Sequence, residues 1–310
     1  MKKFVMLLAL FVVMFGVSSS ADAADKELAV TYVKSPLNIP SIIEKRLWLL
    51  EEEFGPLGYT LSHPEITSGA QQTQAIAAGS VQVANCVGGI SVLLAASQGL
   101  DIRIAGIYSR SPRSFCLLVR DPEIKTITDL KGKKIAGPKG TVLHQLLLAG
   151  LSKEGMNALD VEHIEMPIPT ALSALMSGSI NGALAAGPST LKAIEEGARV
   201  LFNGEGLVEG TIVIGIGGKA LAETPDLPQR MLAVHRKALT YADSHPEETL
   251  KLVSEEVEIT PEQVKEMAKL YDFSPEIREQ DVKELEATMQ FLLEQGLAEK
   301  YVDPASLFVR

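Results

Sequence analysis

Residues 79–84 read GSVQVA and residues 178–183 read GSINGA, and each follows a run with helical spacing, QQTQAIAA before the first and PTALSALMS before the second. Gly79 and Gly178 stand where a helix ends, because glycine enters the left-handed conformation that closes a helix without a Cβ penalty. The residues after each glycine begin a strand. The two copies therefore mark equivalent helix-to-strand junctions in two α/β units.

The alternation extends on both sides of each copy. ELAVTYV (27–33), TLSHPEI (60–66), VQVANC (81–86) and IRIAGIYS (102–109) read as strands, separated by helical patterns in IPSIIEKRLWLLEEEFG (39–55), SGAQQTQAIAAG (68–79) and SVLLAASQG (91–99). This β-α-β-α-β-α-β order belongs to a parallel sheet covered by helices. A second series follows: GKKIAG, TVLHQLLLAGLSKEG, VEHIEMP, PTALSALMSG, INGALAA, STLKAIEEG and ARVLF, residues 132–202. From about residue 219 the pattern is nearly all helical, with Thr260-Pro261-Glu262-Gln263 as a capping-box start and a further segment opening at Ser274-Pro275.

With 310 residues, 46% hydrophobic and 22% charged, the chain is long enough for two packed cores. Lys2 and Lys3, the apolar run Phe4–Val17 and the small residues around Ala21 and Ala23 form an export signal, with cleavage expected after Ala23 or Ala24. The apolar run is too short to span a bilayer. Removing it leaves 27 basic against 38 acidic residues, near −11, with no basic run to meet a phosphate backbone. Nucleic acid is thereby excluded as a partner. Cys86 and Cys116 either pair in an oxidising compartment or remain separate buried thiols, since sequence does not supply the Cα separation that decides it. Neither they nor the five histidines show metal-ligand spacing, so no metal and no cofactor is expected.

Three longer stretches resemble one family, the periplasmic substrate-binding proteins of ABC importers, in the branch that takes up aliphatic sulfonates, taurine, nitrate and thiamine-precursor pyrimidines. They are TDLKGKKIAGPKGTVLHQLLLAGLSKEGMNALDVEHIEMP (128–167), SGAQQTQAIAAGSVQVA (68–84) and DFSPEIREQDVKELEATMQFLLEQGLAEKYVDPASL (272–307). Two departures stand out: Gln82 and Asn181 occupy the place of the family's aspartate, and Ala186-Gly187-Pro188 that of an aromatic-x-Pro. The resemblance implies a two-lobed α/β fold (type II), with parallel sheets, helices on both faces and a C-terminal helical cap. Lobe I is expected over 25–115 and 212–310, and lobe II over 116–211. It further implies a periplasmic monomer without catalytic activity that delivers its ligand to the transmembrane subunits of an ABC permease.

In open parallel sheets ligands bind at the carboxyl ends of strands, where loops enter helices with free N–H groups. That rule nominates Ser35 and Asn38 after the first strand, Ser68, Gly69 and Gln71 after the second, Cys86 and Gly88 after the third, and Gly140, Thr141, His144 and Pro188 in the second unit. Arg110, where the chain leaves the first unit, is the cation nominated as an anion clamp. The expected ligand is a small sulfonate or carboxylate. A flat heteroaromatic would need a stacking wall from Tyr32, Tyr108 or Trp48. Two other classes stay open: a pyrimidine- or menaquinone-pathway enzyme on the same fold, against which stand the export signal and the lack of a nucleophile–base motif, and a ligand-sensing receptor domain.

Overall fold

The computed structural model describes residues 26–35 and 37–309, so the expected signal segment lies outside the described residues. The first series comprises β1 (Lys26–Ala29), α1 (Ile39–Arg46), α2 (Leu49–Phe54), β2 (Tyr59–Ser62), α3 (Gly69–Ala77), β3 (Val83–Gly88), α4 (Gly89–Ser97) and β4 (Ile102–Ser109). The second comprises β5 (Phe115–Val119), β6 (Lys134–Gly137), α5 (Val142–Lys153), β7 (Glu162–Glu165), α6 (Ile168–Met176), β8 (Gly182–Ala186), α7 (Pro188–Glu195) and β9 (Arg199–Asn203). The chain then returns through β10 (Ile212–Gly217) and ends in α8 (Gly218–Glu223), α9 (Leu227–Ser244), α10 (Pro246–Val257), α11 (Pro261–Ala268) and α12 (Glu279–Glu294). None of the described helices is long and apolar enough to cross a membrane.

One layer of strands runs β2-β1-β3-β10-β4, with β1 joined to β3 by the parallel bridge Val30–Val83, and the other runs β7-β6-β8-β5-β9. The units built on them are called lobes I and II. The sheets are mixed rather than purely parallel. β10 lies antiparallel to β3 and β4, and β5 antiparallel to β8 and β9. These are the two strands that directly follow a crossing between lobes. A strand arriving straight from the other lobe has no crossover helix to reverse its direction.

Gly79 (φ 75°) and Gly178 (φ 77°) both take the left-handed conformation. Where one helix was expected over 39–55, Trp48 sits at φ 56° and divides α1 from α2, leaving its ring two-thirds exposed while Leu49, Leu50 and Phe54 stay in the core. The capping box at Thr260 is present, with Gln263 N donating to Thr260 Oγ1 at 3.2 Å and Thr260 N donating to Gln263 Oε1 at 2.9 Å. The segment at Ser274-Pro275 stays non-helical until Glu279, because the carbonyls of Ser274 and Glu276 serve Arg110 instead of a helix ladder. The C-terminal helices pack on lobe I, α9 against α1, α2 and β4, and α12 against α4. Cys86 and Cys116 are separate, buried free thiols; burial pushes the Cys116 thiol up to about 12 and raises that of Cys86 as well.

Candidate functional site

A cleft of about 570 Å³ lies between the lobes, within the size range of small-molecule sites. It is lined by the first residues of five helices: Ser68, Gly69, Gln71 and Gln72 for α3, Gly88 and Ser91 for α4, Thr141, Val142 and Leu143 for α5, Pro167, Ile168 and Pro169 for α6, and Ser189 for α7. The parallel strands bring these ends together, since each delivers the chain to the same edge of its sheet.

The helix starts differ in what they offer. Ser68 and Thr141 occupy the N-cap positions of α3 and α5 without any side-chain bond to their own first turn; Thr141 Oγ1 donates instead to Pro138 O at 2.9 Å. The first-turn N–H groups of α3 and α5 are therefore open to a ligand, as are those of α4 beyond Gly89, whose N–H donates to Thr211 O at 3.0 Å. Prolines at the starts of α6 and α7 remove donors there. The donor-rich ends are thus two from lobe I and one from lobe II. They meet at Ser91, whose Oγ donates across the cleft to Gly140 O at 3.0 Å. A Cβ on Gly69 would come within 2.5 Å of the same Oγ, so only glycine admits this approach.

Among the described lining residues there is no Lys, Arg or His, and Glu65 and Glu165 supply one carboxylate from each lobe. Within this lining, positive potential comes from helix ends and peptide N–H groups. Glu65 is half exposed and lies 3.7 Å from Lys34 Nζ. The apolar wall consists of Val33, Met166, Ile168, Ile212 and the aromatic Phe115.

Of the residues nominated from sequence, Ser35, Ser68, Gly69, Gln71, Cys86, Gly88 and Thr141 line the cleft. Cys86 does so at φ 72°, a left-handed backbone that a non-glycine residue holds only when its surroundings compel it. Asn38 lies beneath, its Nδ2 donating to Ser35 O at 3.1 Å. Gly140 (φ 65°), within the β6–α5 loop, and His144 behind it are not among the lining residues: Gly140 N donates to His144 Nδ1 at 3.3 Å, and His144 stacks on His163 with ring centroids 4.8 Å apart. Burial, then the neighbouring His163, pulls the His144 imidazole down to about 4, so it is neutral and not an anion ligand. Pro188 sits between the lining residues Ala186 and Ser189 without lining the cleft itself.

Arg110 is not available as an anion clamp. Its guanidinium is buried and fully engaged, Nε with Asp281 Oδ1 at 2.5 Å, Nη2 with Asp281 Oδ2 at 2.6 Å and Glu276 O at 2.7 Å, and Nη1 with Ser274 O at 3.0 Å and Asp272 Oδ2 at 3.5 Å. All five donors have acceptors within the protein, and Arg110 ties the first lobe crossing to the C-terminal segment. The three aromatic residues considered for stacking lie elsewhere: Tyr108 is fully buried with its hydroxyl accepting from Ser41 N, Tyr32 bonds Glu256, and Trp48 faces solvent.

Ser91, Gln72, Phe115 and Ile212 also line the cleft and were not nominated from sequence. Ser91 and Gln72 were legible in principle, since each lies within one turn of a helix start already placed at the cleft. Phe115 and Ile212 were not, because they follow lobe crossings whose direction only the assembled fold defines.

The sequence profile described as NMT1/THI5 like matches residues 62–249, more than half of the chain. The chain belongs to the NMT1/THI5-like family. Over 266 residues, 77% of this family member and 82% of the other protein, it is 26% identical to a protein of Escherichia coli (strain K12) provisionally named as an aliphatic sulfonates-binding protein. Over 151 residues, 48% of this chain and 45% of the other, it is 34% identical to the taurine-binding periplasmic protein of the same organism. Its fold matches the alkanesulfonate-binding protein of Xanthomonas axonopodis pv. citri, solved with MOPS bound, at a TM-score of 0.83 and 24% identity over 92% of this chain and 98% of that one. A desulfurization enzyme shares the fold at a TM-score of 0.64 and 19% identity, over 92% of this chain and 96% of that one. The NMT1/THI5-like architecture alone therefore does not separate binding from catalysis.

Proposed function

We propose that this NMT1/THI5-like chain is a periplasmic solute-binding protein that captures a small organic anion, a sulfonate or carboxylate, between lobe I (25–115 and 212–310) and lobe II (116–211) and delivers it to an ABC permease. The observation that carries this reading is the convergence of the open N-termini of α3, α4 and α5 on one cleft. An anion there gains N–H donors from both lobes, so its binding favours closure. Glu65 and Glu165 act against it, but both are exposed and solvent-screened, whereas the N–H groups act at contact distance. The names of the two relatives, a sulfonate binder and a taurine binder, support the same ligand chemistry.

Catalysis finds little support in the cleft. The Cys86 thiol is held protonated by burial, no histidine lines the cleft among the described residues, and the Ser91 hydroxyl is spent on Gly140 O. A nucleophile without a base in reach is not activated.

Thermal-shift measurements across alkanesulfonates, taurine, carboxylates, nitrate and neutral pyrimidines test the proposal. A ligand at a hundred times its Kd adds about 2.7 kcal/mol to stability. Stabilisation by sulfonates or carboxylates is expected. Stabilisation by the neutral heterocycles alone, or turnover of any bound compound, would overturn it.

A further inference from the structure

The two lobes do not line the ligand cleft with the same chemistry. Lobe I presents hydroxyls and amides, from Ser35, Thr67, Ser68, Gln71, Gln72 and Ser91. Lobe II contributes the half-buried Met166 and Ile168, and its polar side chains there are Thr141, Ser189 and Glu165. The difference extends to the backbone at the start of α6. Met166 N donates to Gly137 O at 3.3 Å, and Pro167 and Pro169 carry no N–H, so across 166–169 Ile168 alone keeps an uncommitted donor among the described residues. A helix start of the kind that meets a ligand with peptide donors elsewhere in the cleft is here an apolar shoulder.

Phe115 and Ile212, which open the strands after the two lobe crossings, and Val33 beyond β1 add to the apolar lining, and all three are buried. The Phe115 ring is seated by Gly210 (φ 65°), where a Cβ would come within 2.8 Å of the ring. The two carboxylates of the lining make a poor pole for a ligand cation. Glu65 lies 3.7 Å from Lys34 Nζ, and Glu165 is exposed to water. The volume of about 570 Å³ leaves room for more than an anionic group alone.

We propose that the cleft divides its ligand: the peptide donors of α3, α4 and α5 hold an anionic head, and the shoulder at Met166 and Ile168, with Phe115 and Ile212, holds an apolar body of several carbons. Met166 and Ile168 are then specificity-determining residues. The inference rests on the anion reading above and narrows it to sulfonates or carboxylates with an alkyl or aryl body. Inorganic anions and zwitterions ending in an ammonium are selected against. Each methylene moved from water onto such a wall raises affinity about fourfold, whereas an ammonium set against it loses hydration without gaining a partner. The unbranched, polarizable side chain of Met166 fits bodies of differing shape.

Isothermal titration calorimetry with 1-alkanesulfonates from methane to octane, the matching n-alkanoates and taurine tests the division. Affinity should climb with chain length, about fourfold per methylene until the wall is filled. Propane-1-sulfonate should bind roughly tenfold or more tighter than taurine, which puts an ammonium where propanesulfonate has a methyl group. Ile168→Ser should lower the gain per methylene, so that octanesulfonate loses roughly tenfold more affinity than methanesulfonate does. If Ile168→Ser does not fold, Met166→Gln takes its place with the same expectation. Affinity that stays flat with chain length, taurine binding as tightly as propanesulfonate, or an unaltered slope in the variant would overturn the division and leave the anion reading standing. Failure of every sulfonate and alkanoate to bind would overturn the anion reading, and the division with it.

Discussion

The junction after α3 and the junction after α6 are built alike and lead to different interiors. In lobe I, Gln82 N donates to Ala29 O at 3.0 Å while Gln82 Oε1 accepts from Ala29 N at 2.8 Å. In lobe II, Asn181 N donates to Lys134 O at 2.9 Å while Asn181 Oδ1 accepts from Lys134 N at 3.0 Å. Each amide closes a two-bond clasp, onto the last residue of β1 in lobe I and the first residue of β6 in lobe II, which places the family departure at these positions in structural service. Beyond the clasp the lobes diverge. The strand in lobe I carries Asn85, whose Nδ2 donates to Glu44 Oε2 at 2.7 Å in the core, with His235 Nδ1 3.7 Å from the other Glu44 oxygen. The strand in lobe II is Gly-Ala-Leu-Ala-Ala, packed in a cluster of small and aliphatic side chains. A repeated junction thus sets where strands begin, while the polarity behind it is chosen separately in each lobe.

The contrast breaks most visibly at Arg110. Replacing it by Ala leaves Asp281 buried without its partner and should cost about 3–5 kcal/mol in urea denaturation. A stable Arg110→Ala protein with reduced anion affinity would restore Arg110 to the ligand site. Next comes Glu44→Ala, which leaves Asn85 Nδ2 without its acceptor in the core of lobe I; about 3 kcal/mol of stability should be lost. A loss within the range of ordinary surface changes would mean that the polar core of lobe I is dispensable.

A pH effect should arise in lobe II. His144 is held neutral down to about 4 in the folded chain against an ordinary 6.5, so between these values the unfolded chain binds a proton that the folded chain does not. Stability therefore falls as pH drops from 6.5 toward 4, by on the order of 2–3 kcal/mol from this group. His144→Gln keeps an acceptor for Gly140 N and should flatten the melting temperature across that window; an unchanged slope would assign the effect elsewhere.

The smallest expected difference lies between the clasps. The Gln82 bond to Ala29 is partly buried and the Asn181 bond to Lys134 is exposed. Gln82→Ala should cost about 1–2 kcal/mol and Asn181→Ala about 0.5 kcal/mol. Equal losses would show that solvent does not compensate at the lobe II clasp.

Much of this was readable before any coordinates. Helix-ending glycines, the doubled α/β series and the Thr260 capping box follow from local rules: φ preference, hydrophobic period and first-turn hydrogen bonding act within a few residues, so the sequence alone determined them. The same holds for Ser68, Gly69, Gly88 and Thr141, because strand ends in a parallel sheet face one edge whatever the details. Tertiary structure decided the rest. Arg110 was free to meet a ligand or a carboxylate until α12, 171 residues away along the chain, brought Asp281 against it. His144 lay at a helix start pointing to the cleft until His163 on a neighbouring strand stacked behind it. The antiparallel β5 and β10, and with them Phe115 and Ile212 at the cleft, depend on the direction of two lobe crossings. Long-range pairing of charges, rings and strands is fixed by the closing of the whole chain, and no short window of sequence encodes which of several compatible partners arrives.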